Sequence, residues 1–189
     1  MQFVKKHRKW FAAAVLAVLI VSIFAERPTD YSFGITYIAN NRMAAADFET
    51  LTGAMKAALN TIPGYENADT DIDEISIMPD EGSGRQNALA RLLYGDGVIY
   101  IADYELVRSI VDDDELFAPM PDSLGGDIKS GERVLAKSLG SFKSLGLSRN
   151  YDDLCIFIRS DETEDKSLSS YMRKNYDAAC TVLEKIEKN

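Results

Sequence analysis

From Ser32 onward, apolar residues recur with two alternating periods, one suited to strands and one to helices. Ser32–Ala39 (SFGITYIA), rich in β-branched and aromatic residues, predicts a strand that ends at Asn40-Asn41. Phe48, Leu51, Ala54, Met55, Ala58, Leu59 and Ile62 follow at steps of three and four, the stripe of a helix that Pro63-Gly64 stops. Glu74–Met78 alternates about Ile75 and Ile77, as a strand with one solvated face does. Ser83-x-x-Gln86 fits a capping box that opens a second helix through Ala88, Leu89, Leu92 and Leu93, with Gly95 as its C-cap. Val98–Ala102 (VIYIA) is apolar throughout, the pattern of a strand covered on both faces, and Asp103 stands where it would cap the next helix, striped by Leu106, Val107, Ile110 and Val111. Beyond Phe117–Pro121, residues 122–131 read as a loop and Val134–Phe142 as a short helix. Leu154–Ile158 reads as a second doubly covered strand. A last helix over Ser167–Lys188 turns Leu168, Tyr171, Met172, Ala179, Val182, Leu183 and Ile186 inward.

Strand and helix therefore alternate four times. That alternation predicts an α/β fold: one three-layer domain over residues 32–189 with a four-stranded, mostly parallel sheet. The alternating strand near Ile75 belongs at an edge and the strands at Val98 and Leu154 inside, which right-handed crossovers satisfy in the order 2-1-3-4.

The residues before this domain follow a different logic. Lys5, Lys6, Arg8 and Lys9 lead into the unbroken apolar stretch Trp10–Ala25, and Glu26 is the first acid of the chain. This order predicts an N-terminal transmembrane helix or a signal segment over residues 1–25, a linker over residues 26–31, and a single-pass protein whose C-terminal domain is extracellular. Ile23 and Ala25 form a poor cleavage site, which favours an uncleaved anchor. Four of the 21 Lys and Arg lie in that segment, leaving 17 against 30 Asp and Glu, or −13, in the exported part. Nucleic acid and anionic lipid are excluded as partners by that charge.

Charge and composition narrow the chemistry further. The single histidine, His7, precedes the apolar stretch, so a Ser-His-Asp or Cys-His apparatus is not expected in the domain. Cys155 and Cys180 form no CxxC motif and read either as two buried thiols or as one disulfide between a strand and the last helix. Residues 67–73 (NADTDID) place oxygen side chains at alternate positions, as a calcium loop does, but Ile72 takes the place of the turn glycine and Met78 that of the closing glutamate. Gly82-Ser83-Gly84 before a helix could present N–H groups to an anion, though an ordinary N-cap turn accounts for it. Tyr31, Tyr37, Tyr100 and Tyr104 either line a cleft or pack the sheet. In a parallel sheet, ligands bind beyond the carboxyl ends of the strands where strand order reverses, which selects Asn40, Asn41, Asp103 and Tyr104 as ligand- or partner-binding candidates.

The strand SFGITYIA, the helix ending at Pro-Gly, the strand EISIM and the run ALARLLYGDGVIYIADYELVRSIVDDDELFAPM together resemble half of the N-terminal lobe of extracellular solute-binding proteins of ABC transporters. Small, membrane-anchored proteins of Gram-positive anaerobes built on that half alone are similar. The resemblance covers about half of the chain and implies a binding or interaction module without catalysis, cofactor or metal. Such proteins have a second lobe that closes over the ligand, and this chain has no room for one, so a protein partner in the envelope is expected ahead of a small molecule. The alternative is a cell-envelope enzyme acting through carboxylates or with metal assistance.

Overall fold

The computed structural model describes residues 32–39, 43–76, 86–88, 90–92, 95–108, 116–126, 128–130, 133–162 and 166–188. The strands are β1 (Ser32–Ala39), β2 (Asp69–Ser76), β3 (Ile99–Asp103), β4 (Ile128–Ser130), β5 (Arg133–Ser138) and β6 (Leu154–Ile158). The helices are α1 (Ala45–Leu59), α2 (Tyr104–Arg108) and α3 (Lys166–Lys188), and residues 86–88 and 90–92 are also helical. One six-stranded mixed sheet has the order β2-β1-β3-β6-β5-β4.

The first half of the sheet follows the expectation. β1 runs parallel to β2 from Ser32↔Asp69 to Ala39↔Ser76 and parallel to β3 from Ile35↔Ile99 to Ile38↔Ala102. Its residues from Phe33 to Ala39 are all buried, so both faces are covered. Phe33, Ile35 and Tyr37 alternate with Gly34, Thr36 and Ile38 across the pleat. Tyr37 meets Phe48 of α1 edge-on at 5.5 Å, and Phe33 meets Tyr65 at 6.3 Å. On the other face Ile38 joins Ala88, Leu92, Tyr100, Val107, Phe117, Cys155 and Phe157 in one apolar cluster.

The second half corrects the expected four-stranded, mostly parallel sheet. β6 pairs antiparallel with β3 (Ile99↔Ile158, Asp103↔Leu154), β5 antiparallel with β6, and β4 antiparallel with β5. The segment expected as a helix over Val134–Phe142 is instead β5 followed by two 3-10 turns, Leu139–Ser141 and Lys143–Leu145. A parallel strand needs a crossover that returns the chain to the starting end. With a strand where the crossover helix was expected, β5 delivers the chain to the far end and β6 returns antiparallel. Residues 128–130, expected in a loop, supply the edge strand β4.

β2 begins five residues earlier than the expected strand. The acidic stretch read as a loop, and as a weak calcium loop, is extended chain hydrogen-bonded to β1. Cys155 and Cys180 are both free, which removes the disulfide alternative. Among the described residues no helix is long and apolar enough to cross a membrane. That finding corrects the expected single-pass membrane protein with its transmembrane helix and extracellular location; residues 1–25, on which that expectation was placed, lie outside the described residues.

α3 carries most of the expected inward stripe: Met172, Ala179, Val182, Leu183 and Ile186 are buried against α1 and the sheet, whereas Leu168 and Tyr171 are only half-buried. Buried polar groups join it to the rest. Asn175 accepts from the Tyr65 hydroxyl at 2.8 Å, and the Lys137 ammonium of β5, itself buried, pairs with Glu187 and donates to the Leu124 carbonyl at 2.6 Å.

Candidate functional site

Two ends of the sheet carry polar side chains, and they are built differently. At the carboxyl end of β1 and β3 lie Asp103 and Tyr104. Asp103 closes β3, half-buried and paired across the sheet with Leu154, and it directly precedes α2 in the position of a cap. Tyr104 opens α2, half-buried, and its backbone N–H donates to the Asp153 carbonyl at 2.7 Å. Asn40 and Asn41 lie outside the described residues. Of the other tyrosines, Tyr37 and Tyr100 are fully buried, so both pack the sheet rather than line an open cleft.

The expected residues at this end stand beside a cluster that sequence reasoning missed. Asp47, in the first turn of α1, is buried and accepts three hydrogen bonds. The donors are the Ser148 backbone N–H at 2.8 Å, the Ser148 hydroxyl at 2.7 Å and the Tyr151 hydroxyl at 2.7 Å. These bonds hold its carboxyl below the ordinary value of 3.8, the Ser148 N–H contributing most and the Arg149 charge least. Tyr151 in turn accepts from the Ala44 N–H at 3.2 Å, satisfying a donor at the start of α1 where the Ala44 side chain offers no cap. Burial first, and then the bond to Asp47, push the Tyr151 phenol up. The loop joining β5 to β6 is thereby fastened to the helix that follows β1. On its outer surface Arg149, Asn150, Asp152 and Asp153 are exposed. A shallow cavity of about 280 Å³ lies within this loop, lined among others by Phe142, Lys143, Ser148 and Arg149.

At the opposite end, where β1 and β3 begin, an open polar cleft of about 460 Å³ is lined by Ser32, Arg91, Asp96, Ser167, Leu168 and Tyr171, with Gly95 in its wall. A smaller recess of about 50 Å³ continues inward past Tyr171 to Thr36 and Asp71. The segment Gly95–Gly97 forms one wall because glycine lets it press against the sheet. A Cβ on Gly34 would lie 2.8 Å from the Asp96 carbonyl, and one on Gly97 would collide with the Thr36 hydroxyl and reach within 3.0 Å of the Tyr100 ring. The Val98 N–H donates to the Gly34 carbonyl at 2.8 Å, and the Gly34 N–H to the Tyr171 hydroxyl at 3.0 Å. Burial raises the Tyr171 phenol; its bonds with Gly34 and Ser32 oppose this, and the charges of Asp96 and Asp71 add to it. The Gly95 N–H donates to the Arg91 carbonyl at 2.8 Å, an ordinary i−4 bond, and Gly95 does not take the left-handed conformation of a glycine C-cap.

Among the described residues no group of three or more His, Cys, Asp or Glu is arranged to hold a metal ion. Comparison of the chain with family models, with curated proteins and with solved structures gives no match.

Proposed function

We propose that the domain is a non-catalytic binding or interaction module whose recognition face is the carboxyl-end edge of β1 and β3. Its contact groups are Asp103 and Tyr104, together with Asn40 and Asn41, which follow β1 in the chain. The observation that carries this reading is the Asp47 clamp. It fixes the loop bearing Arg149, Asn150, Asp152 and Asp153 beside Asp103 and Tyr104, so that a polar rim is presented without the ordering cost a floppy loop would bring to binding.

The shape of this edge favours a protein partner over a free metabolite. The neighbouring cavity of about 280 Å³ lies within the β5–β6 loop and is lined by neither Asp103 nor Tyr104, so the edge itself is met as a surface. A net charge of −9 opposes nucleic acid. The resemblance to half of a solute-binding lobe is in keeping with a binding role. Fold analogy does not by itself carry an activity, so the site has to be tested.

The test compares the purified protein with the double variant Asp103→Ala, Tyr104→Ala in capture from a cell lysate, followed by binding measurements with the captured partner purified. Both side chains are partly exposed at the end of the sheet, and unchanged circular dichroism checks that the fold persists. The expected result is at least about tenfold weaker binding, a loss of about 1.4 kcal/mol. Equal affinity in a folded double variant would remove this edge as the site.

A further inference from the structure

The cavity of about 280 Å³ in the loop between β5 and β6 has a lining of unusual sign. In a chain with 30 Asp and Glu against 21 Lys and Arg, its lining among the described residues contains two cations, Lys143 and Arg149, and no acid. The carboxylates of the surrounding chain are engaged or lie outside it. Asp47 accepts from the Ser148 N–H and from the hydroxyls of Ser148 and Tyr151, Asp152 accepts from the Asn150 amide, and neither Asp152 nor Asp153 lines the cavity. Arg149 acts on Asp47 only through space, as the weakest influence on its carboxyl, and among the described residues neither cation forms an ion pair. Both cations spring from held backbone. Lys143 opens the 3-10 turn Lys143–Leu145, which Gly146 closes at φ 62°, its N–H donating to the Lys143 carbonyl at 3.2 Å. The Ser144 hydroxyl ties that turn to the Ile186 carbonyl of α3, and Arg149 sits between Ser148 and Tyr151, both fastened to Asp47.

We propose that this cavity binds the phosphate group of a small molecule. Arg149 offers a planar fork of donors and Lys143 a point charge, and a phosphate dianion has charge and acceptor oxygens enough for both. A carboxylate has one charge and answers only one of them. Like charges lining one cavity repel, and an anion between them relieves that repulsion. The volume of about 280 Å³ admits a phosphate group with a short organic tail. Asp152 and Asp153, exposed on the same loop, repel a polyanion, which separates a small phosphate from nucleic acid. Because both cations are exposed, the affinity is modest and falls with added salt. The cavity shares a loop with the recognition face but is lined by neither Asp103 nor Tyr104, so the two readings fail separately.

The experiment titrates the full-length protein at constant ionic strength with glycerol phosphate, inorganic phosphate and acetate, read by amide chemical shifts in heteronuclear NMR. Glycerol phosphate is expected to give saturable shifts at Lys143, Gly146 and Arg149, and acetate to bind at least about tenfold more weakly. Inorganic phosphate should saturate the same amides. Equal binding of the two phosphates makes that group the whole of the ligand, and tighter binding of the ester adds a contact from its organic part. Affinity for glycerol phosphate should rise as pH is raised from about 5 to about 7, through its second pKa of about 6. Lys143→Gln and Arg149→Gln, both at exposed positions, should each weaken glycerol phosphate about tenfold, whereas the double variant at Asp103 and Tyr104 should bind it unchanged. Absence of saturable shifts, equal binding of phosphate and acetate, or full binding by both single variants overturns the proposal.

Discussion

The two halves of the sheet are stabilised by different means. In the parallel half, β2-β1-β3, the interior is apolar, and backbones approach closely where glycine removes the side chain. In the antiparallel half, β6-β5-β4, buried cations take part. Lys137 lies under Phe142, its ammonium 5.1 Å from the ring centre, and bonds to the Leu124 carbonyl and Glu187. Arg159, just past β6, is buried and donates to the Leu92 carbonyl. The difference separates structure specified by local pattern from structure specified by partners far along the chain. An apolar strand announces its own burial, whereas a buried lysine makes sense only once its distant acceptors are known.

The sharpest way to break the parallel half is Gly97→Ala. The added methyl group meets the Thr36 hydroxyl and the Tyr100 ring, both in the closed interior next to β1. Overpacking of this kind costs about 3 kcal/mol, equivalent to a fall in Tm of roughly 10 °C for a domain of this size. Thermal unfolding followed by circular dichroism checks it. A variant within about 1 kcal/mol of the parent would show that this wall is far more yielding than its packing indicates.

The antiparallel half is tested by two substitutions at one site. Lys137→Ala removes the ammonium and its stem, leaving a gap and depriving Glu187 and the Leu124 carbonyl of a donor. Because Glu187 retains 29% side-chain exposure, the expected loss is about 2 kcal/mol, below the range for a fully buried pair. Lys137→Met keeps most of the volume but still leaves Glu187 and the Leu124 carbonyl without their donor, so it should recover only the packing part of that loss and cost about 1 kcal/mol. Equal losses from the two variants in urea unfolding would show that the charge pair, rather than packing, sustains β5.

These contrasts explain which parts of the fold were legible. β1 and β6 were read to the residue, and α3 to within one, because each is long or apolar enough to match a single period. β5 was missed because Val134, Leu135, Leu139 and Phe142 happen to fall at helical spacing, and because the inward residue Lys137 hides the strand alternation. That one error turned β6 around and removed β4 and β5 from the sheet. β2 was placed too late because Asp69, Asp71 and Asp73 look like loop residues; at a sheet edge, where β2 lies, such acids are tolerated and guard against aggregation. The positions of Asp103 and Tyr104 followed from topology alone. Nothing in the sequence joins Asp47 to Ser148 or Tyr151, which are 101 and 104 residues away. The amino-end cleft was equally hidden, since Arg91, Asp96 and Tyr171 come from three separate segments.

The Asp47 clamp is where the two halves meet, since it ties the helix after β1 to the loop between β5 and β6. Tyr151→Phe removes the hydroxyl that donates to Asp47 and accepts from Ala44. Losing these bonds while keeping the ring should cost about 1 kcal/mol. Hydrogen exchange should quicken in residues 146–151 before it does so in the strands. Uniformly faster exchange throughout the domain would mean that the clamp stabilises the whole fold rather than the seam.

The smallest effect is expected from pH, because the titration falls at the acid end of the range. The carboxyl of Asp47 is depressed in the folded state, so the contribution of the ionised clamp is present above the unfolded value of about 3.8 and is lost as pH falls through the lower folded value. Protonation takes away an acceptor of the Ser148 N–H, the Ser148 hydroxyl and the Tyr151 hydroxyl together. Asp47→Asn lacks the charge at every pH. The stability gap between parent and variant should therefore stay constant from about pH 7 to about pH 5 and shrink as pH falls toward about 3. Urea unfolding at a series of pH values measures that gap directly. A gap that stays constant to the acid limit would mean that Asp47 titrates alike in the folded and unfolded chains, and that the seam depends on the shape of its hydrogen bonds rather than on the charge.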